Sequence, residues 1–262
     1  MKIKDYKIVF DRIEKTLKEQ STLSSSEFKN IYTWADNIGN QKHNDKYFRL
    51  ILQVIFYSGM RSSTVERKLP VIYKHFPDYK TVSKYGSNDI KRIMSDKDMI
   101  KNSAKIDACI HNARVFSSLI KEYGSFQEFL DSYDAKESFE NLLLLKEDLQ
   151  SMFSFLGGIT SYHFLTDTGF PVLKPDRVIV RIFNRLGLLE NNNQLLKAVI
   201  HGRKFAQATK KPIRYIDIIL VKYGQQGLSK EYGLDDGICL EKNPKCHLCE
   251  ISSYCNYIVK EK

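Results

Sequence analysis

The sequence predicts an all-α protein, and three observations predict it. Apolar residues recur at helical spacing along most of the chain. Glycine and proline are scarce, 13 and 6 in 262 residues, which favours helices with short connections over many short strands. No stretch alternates apolar and polar residues convincingly enough to read as a strand. A hydrophobic content of 42% is enough for a real core. The length suits one or two domains at roughly 100–200 residues each.

Taken in order, residues 1–20 set Ile8, Val9, Ile13 and Leu17 on one stripe. Ser24-Ser25-Ser26-Glu27 is a start signal for a helix over Phe28 to Ile38, which Gly39 ends. Asn44 to Tyr57 carries Phe48, Ile51, Leu52 and Ile55 on one face, the pattern of a central core helix. A polar break follows at Ser58-Gly59-Met60-Arg61-Ser62-Ser63. A helix resumes over Thr64 to Phe76, and Pro77 closes it.

Short helices are expected at 79–85 and 87–94, a long one over Ser103 to Tyr123, and another over Phe126 to Tyr133. Cys109 reads as a buried small hydrophobe of the long helix. The acidic stretch 134–148 is expected to hold a short helix at Leu142–Leu145, and 149–155 then leads into a glycine turn. Beyond the turn, helices are expected up to Thr168, over Pro175 to Leu186 with Gly187 as its C-cap, over Asn191 to Phe205, and over Pro212 to Tyr223. Residues 224–262 read as a cysteine-bearing loop.

The formal charge is +10, from 41 basic and 31 acidic residues, which points to an anionic polymer as partner. No apolar run is long enough to span a membrane, and the N-terminus lacks a signal-peptide core. The expectation is a soluble intracellular protein, cytoplasmic and nucleoid-associated in a prokaryote, with no membrane partner.

The last part of the chain carries Cys239-x6-Cys246-x2-Cys249-x5-Cys255. In a reducing compartment such clustering argues for metal ligation rather than disulfides. Four thiolates in one loop can hold a [4Fe–4S] cube or close a tetrahedral zinc site. Zinc sites usually come as two closely spaced pairs, and only one such pair is present, so the pattern leans to iron–sulfur. Lys242 and Lys245 inside the loop are candidate phosphate contacts.

Phe155-Leu156-Gly157-Gly158-Ile159-Thr160-Ser161 reads as a tight turn between helices. Such a turn points backbone N–H groups at an anion, and Thr160 and Ser161 are candidate hydroxyl donors. Asp176 follows Pro175 at the head of an apolar helix, where the dipole favours negative charge and an aspartate also serves as a cap. Arg177, Arg181 and Arg185 fall on one stripe, for phosphates or for a solvated face.

Together and in this order, these pieces resemble the helix-hairpin-helix DNA glycosylases of the endonuclease III type. The cysteine spacing resembles that family's iron–sulfur loop. The hairpin with its following aspartate resembles its catalytic core, and the likeness runs from about Asn44 to Cys255. Ser58-Gly59-Met60-Arg61 and Lys105-Ile106 with Asn112-Ala113-Arg114 look closer to the 3-methyladenine glycosylase branch.

The resemblance implies two helical domains, 44–174 with the hairpin and 1–43 plus 175–262 with the cluster loop, and an active site in the cleft between them. It implies a monomer acting on double-stranded DNA with a damaged base. Catalysis falls to Asp176, DNA contact to Gly157, Gly158, Thr160, Ser161, Arg177, Lys242 and Lys245, and the wedge that fills the emptied stack to Met60. Trp34, Phe56, Tyr57 and Phe153 are candidates for the base pocket. Three departures sharpen this. Ile159 stands where the family hairpin has a second glycine, and Val54 where the 3-methyladenine branch has a glutamate. Ser161 stands where the lyases have their lysine, which implies a monofunctional enzyme that leaves an abasic site. An alkylated purine is mildly favoured as the lesion, because its cationic base leaves without a general acid. The alternatives are a non-catalytic protein of this fold that binds damaged DNA and a zinc-bearing nucleic-acid module.

Overall fold

The structure, a computed structural model, describes residues 3–39 and 43–257. It is all-helical, as the periodicity requires, with one isolated antiparallel bridge between Ser229 and Leu234 among the described residues. Thirteen α-helices occur there: α1 Ile3–Gln20, α2 Ser25–Asn37, α3 Asn44–Tyr57, α4 Ser62–His75, α5 Tyr79–Val82, α6 Ser87–Ser95, α7 Ser103–Tyr123, α8 Phe126–Asp131, α9 Phe139–Met152, α10 Thr160–Asp167, α11 Arg177–Arg185, α12 Leu195–Thr209 and α13 Ile213–Gly224. No described helix is long and apolar enough to cross a membrane.

Local signals account for most boundaries. Ser24 and Glu27 close a full capping box on α2, and Ser125 and Ser138 accept from the third residue of α8 and α9. Several boundaries differ from expectation, two of them for a visible local reason. The acidic stretch does not stop at a short helix: α9 runs unbroken to Met152, because Leu142, Leu145 and Leu149 form one buried stripe. Helix α12 starts at Leu195 rather than Asn191. Asn191 Oδ1 accepts from the Asn193 amide and Gln194 Oε1 from the Glu190 amide, and such local bonds compete with the helix ladder.

The chain divides into two compact units, Met1–Ile38 with Pro171–Lys262, and Gly39–Phe170. In the first, α1 packs on α12 and α13, and α11 on α13. Phe10, Phe183, Phe205 and Tyr215 fill its centre, with the Phe183 and Phe205 rings stacked at 5.5 Å. In the second, α3 packs on α7 and α10 around Phe48, Phe116, Phe126 and Phe164. The Phe116 and Phe126 rings stack at 4.4 Å. Each such buried ring contributes roughly 1.5–3 kcal/mol. Cys109 is wholly buried in this core, as expected.

Candidate functional site

The hairpin is built from α9, a short turn and α10. Asn112 of α7, fully buried, grips the turn at Ser154 on both sides: its amide donates to the Ser154 carbonyl at 2.9 Å, and its Oδ1 accepts from the Ser154 N–H at 2.8 Å. Phe155 takes the left-handed conformation (φ 65°) that reverses the chain. Gly157 and Gly158 are exposed, and Ile159 is the N-cap of α10, with no side-chain cap bond. The Ser161 amide donates to the Gly157 carbonyl at 2.9 Å, inside the turn. Ile159 is 36% exposed at the tip.

The two hydroxyls expected to face a phosphate do not. Thr160 Oγ1 donates to the Phe155 carbonyl at 2.6 Å, and Ser161 Oγ donates to the Gly157 carbonyl at 2.9 Å. Ser161 is 0% exposed, so its place among DNA-contacting residues is corrected: it closes the hairpin from within. Thr160 is half-buried and likewise serves the turn.

Asp176 is the N-cap of α11. Its Oδ1 accepts from the Val178 amide at 2.9 Å and the Ile179 amide at 3.1 Å, and these bonds leave Oδ2 out of the cap. The segment before it is fixed by groups the sequence reading missed. Asp217 of α13, fully buried, accepts from the Lys174 amide at 2.9 Å and from Arg214 Nη1 at 2.7 Å. Burial raises the Asp217 carboxyl pKa; the Arg214 charge opposes this and the Asp176 charge adds to it. Arg214 also lies over the exposed Trp34 ring at 5.5 Å. Trp34 and the Asp176 segment are therefore joined through Arg214 and Asp217. At Gly202 of α12 a Cβ would stand 2.1 Å from Leu173 Cδ2, so only glycine lets α12 approach this segment so closely.

The arginine stripe of α11 divides. Arg177 is exposed. Arg181 donates to the Gly224 carbonyl at 2.6 Å and the Cys239 carbonyl at 3.2 Å, and Arg185, 8% exposed, to the Leu240 carbonyl at 2.7 Å. These two arginines hold the cysteine loop and are not a solvated face.

Met60 is half-buried on the turn after α3, where Gly59 takes φ 69°. Lys105 of α7, 4% exposed, anchors that turn by donating to the Phe56 carbonyl at 2.9 Å and the Ser58 carbonyl at 2.6 Å. Among the pocket candidates, Phe56 and Phe153 are 0% and 3% exposed, and Phe56 packs against Phe76 and Phe153 edge-on against Phe126. Their faces belong to the core, so both are corrected as stacking surfaces for a base. Tyr57 is half-buried, its ring centroid 6.1 Å from that of His163. Its hydroxyl pKa is pushed up to about 12, first by burial and then by the charges of Glu66, Tyr73 and Asp167. Val54 is wholly buried.

In the cysteine loop, Arg185 Nη1 donates to Cys239 Sγ at 3.2 Å, Tyr223 Oη to Cys249 Sγ at 3.1 Å, and the Tyr257 amide to Cys255 Sγ at 3.4 Å. Burial raises the Tyr223 hydroxyl pKa, and Cys249, Cys239 and Cys255 raise it further. Among the described residues, no three His, Cys, Asp or Glu side chains are close enough to hold a metal ion as they stand. The donor chemistry nonetheless fits an iron–sulfur cluster: thiols, with N–H and O–H groups aimed at sulfur. Lys242 is exposed and Lys245 half-buried on the same loop.

Residues 31–171 match the family model described as methyladenine glycosylase. This is over half of the chain, and it ends before Asp176 and the cysteine loop. Among solved structures, 3-methyladenine DNA glycosylase I from Staphylococcus aureus aligns over 59% of this chain and 92% of its own, at 22% identity and a TM-score of 0.46. The 8-oxoguanine DNA glycosylase of Thermotoga maritima aligns over 82% of this chain and 95% of its own, at 14% identity and a TM-score of 0.52. That second likeness is one of fold.

Proposed function

This chain belongs to the methyladenine glycosylase family, and on that footing we propose a monofunctional enzyme that uses Asp176 to release a flipped, damaged base and leave an abasic site. Members of the family are DNA glycosylases of base-excision repair, hydrolases of the N-glycosyl bond. The finer reading rests on one observation above all: Asp176 is fixed through Oδ1 by two backbone amides, with Oδ2 left out of the cap.

As the C1′–N bond breaks, positive charge develops on the sugar. A fixed carboxylate oxygen stabilises that charge without reorganising and can take the proton of the attacking water. Extrusion costs a few kcal/mol, least for damaged or mispaired bases, and Met60 on its anchored turn supplies the apolar wedge. The exposed backbone of the hairpin at Gly157 and Gly158, with Arg177, Lys242 and Lys245, holds backbone phosphates. Of the candidate rings, exposed Trp34 and half-buried Tyr57 are the two that the cores do not enclose.

The endonuclease III-type reading extends to the loop. Cys239, Cys246, Cys249 and Cys255 would hold a [4Fe–4S] cluster, or zinc in the alternative, and the bound group would tie the loop carrying the two lysines into one rigid turn. Arg185 and Tyr223 would serve it as hydrogen-bond donors.

The test is incubation with duplexes bearing single lesions, followed by alkali on one aliquot and borohydride on another. Strand breaks only after alkali, and no trapped adduct, are expected. A borohydride-trapped covalent complex would contradict the monofunctional reading, because it requires an amine that Ser161 does not supply.

A further inference from the structure

In the first unit α1 and α2 both pack on α13, and a recess of about 240 Å³ lies among them. Glu14 and Lys18 line it from α1, Lys29 and Tyr32 from α2, and Lys211 and Tyr215 from the approach and first turn of α13. The buried Glu14 carboxylate is saturated: Oε1 accepts from Lys18 at 2.9 Å and Tyr215 at 2.6 Å, and Oε2 from Lys211 at 2.5 Å. These bonds fix two ammonium groups in the wall. Lys18 Nζ stands over the Phe28 ring at 5.6 Å and Lys211 Nζ over the Tyr215 ring at 5.3 Å. On the α2 side, Lys29 Nζ, Ser25 Oγ and Tyr32 Oη have no protein partner among the described residues. The recess thus sets three lysines against one carboxylate whose oxygens are already taken, and leaves three donors for a ligand. A neighbouring recess of about 330 Å³ shares Glu14 and Lys18 but adds Asp11, Lys15 and Glu19, so acids outnumber lysines there and an anion is not favoured.

The same helices present the Asp176 segment. Tyr32 meets Tyr215 at 5.2 Å, whereas Trp34 lies under Arg214 and Asp217 bonds the Lys174 amide. Tyr215 and Asp217 are two residues apart on α13, a turn of about 200°, so the recess and the Asp176 segment occupy opposite faces of that helix. A helix diameter of about 10–12 Å corresponds to about three nucleotides along one DNA strand at roughly 3.4 Å each.

We propose that this recess, walled by Lys18, Lys29 and Lys211, holds a backbone phosphate of the duplex a few nucleotides from the sugar that Asp176 serves. The inference rests on the glycosylase reading above for its partner. Ammonium and hydroxyl donors give a phosphate charge-assisted hydrogen bonds, and each phosphate neutralised releases counterions from the DNA. The recess is smaller than the roughly 300–1,000 Å³ of small-molecule sites, so it suits one phosphodiester rather than a whole nucleotide. Such a contact fixes the register of the protein on the duplex and carries no information about sequence or lesion. Glu14 cancels part of the charge, but it also holds Lys18 and Lys211 in place, so that neither has to be ordered when the phosphate arrives.

The experiment measures binding of the full-length protein to damaged and undamaged duplex over a range of salt, for wild type, Lys29→Gln and Lys7→Gln. Exposed Lys29 leaves no protein partner stranded, so Lys29→Gln should fold as wild type does, with circular dichroism as the check. Lys7 is the control, a lysine of α1 that pairs with Asp11 in water. Lys29→Gln should weaken both duplexes alike, by about 3–10-fold, and flatten the slope of log affinity against log salt by about one. Lys7→Gln should stay within about twofold of wild type. Base release at saturating duplex should be unchanged in both variants, because the recess touches no reacting atom. An unchanged salt slope in Lys29→Gln, an equal loss in Lys7→Gln, or a loss confined to damaged duplex overturns the proposal. Saturable binding of inorganic phosphate that Lys29→Gln abolishes, with the duplex slope unchanged, assigns the recess to a free anion and overturns it as well. A flattened slope in a protein that releases no base from any lesion overturns the glycosylase reading and leaves the phosphate site standing.

Discussion

Asp217 Oδ1 accepts the backbone N–H of Lys174 at 2.9 Å, two residues before Asp176, from a carboxylate that is 3% exposed. A buried carboxylate bonded to a main-chain amide fixes the path of the segment that presents Asp176. Its other oxygen is held by Arg214 at 2.7 Å. Asp217→Ala leaves both the amide and the guanidinium without their acceptor, and a loss of about 3 kcal/mol is expected in chemical denaturation. The turnover number should fall by about tenfold or more, with lesion-DNA affinity little changed. An unaltered turnover number in a folded variant would remove Asp217 from this role.

Lys105 gives a second positional test. Its ammonium bridges the Phe56 and Ser58 carbonyls at the end of α3 and so braces the Met60 turn. Lys105→Met fills the space but strands both carbonyls, and about 2–3 kcal/mol of stability should go with it. Binding to duplex with a lesion should weaken more than binding to single strands, because only the duplex needs the wedge. Equal weakening would argue that the turn has no part in extrusion.

Much of the helical order was legible, because it is written locally. The capping box at Ser24 and Glu27 and the apolar stripe of Asn44 to Tyr57 need no knowledge of what they pack against. Side-chain direction was less so. Arg181 and Arg185 share a stripe with exposed Arg177, but carbonyls of the cysteine loop lie opposite them, and only the fold reveals that. Ser161 looked like a phosphate donor until the hairpin closed around it. Asp217 left one readable trace, a lone acid inside Ile216 to Leu220. That trace signals burial but not the Lys174 amide it bonds.

Glu14 predicts a pH dependence. Burial tends to raise its carboxyl pKa, but hydrogen bonds from Lys211, Tyr215 and Lys18 outweigh that and leave it below the usual glutamate range. A depressed acid contributes stability that is full above the unfolded glutamate range and is lost as pH falls through the folded value. Glu14→Gln should therefore be less stable than wild type at neutral pH, by about 1–3 kcal/mol, and the two should converge on acidification. A pH-independent difference in denaturation midpoint would show that the charge of Glu14 is not what matters.

The cysteine loop has a direct check. Protein purified without oxygen is expected to carry iron and acid-labile sulfide with broad visible absorbance, and Cys249→Ala should lose both. Arg185→Gln should keep the four ligands but bleach faster in air, because Cys239 loses its donor. Zinc without iron would select the alternative.

The central claim is that Asp176 performs the chemistry of a DNA glycosylase. Single-turnover base release on the lesion-duplex panel, measured for wild type and Asp176→Asn with binding followed in parallel, tests it most directly. The asparagine keeps an oxygen for the Val178 and Ile179 amides and loses only the charge. Release should fall by at least about 100-fold, with affinity for the same duplex unchanged. Turnover retained by Asp176→Asn on a base that wild type releases would contradict it.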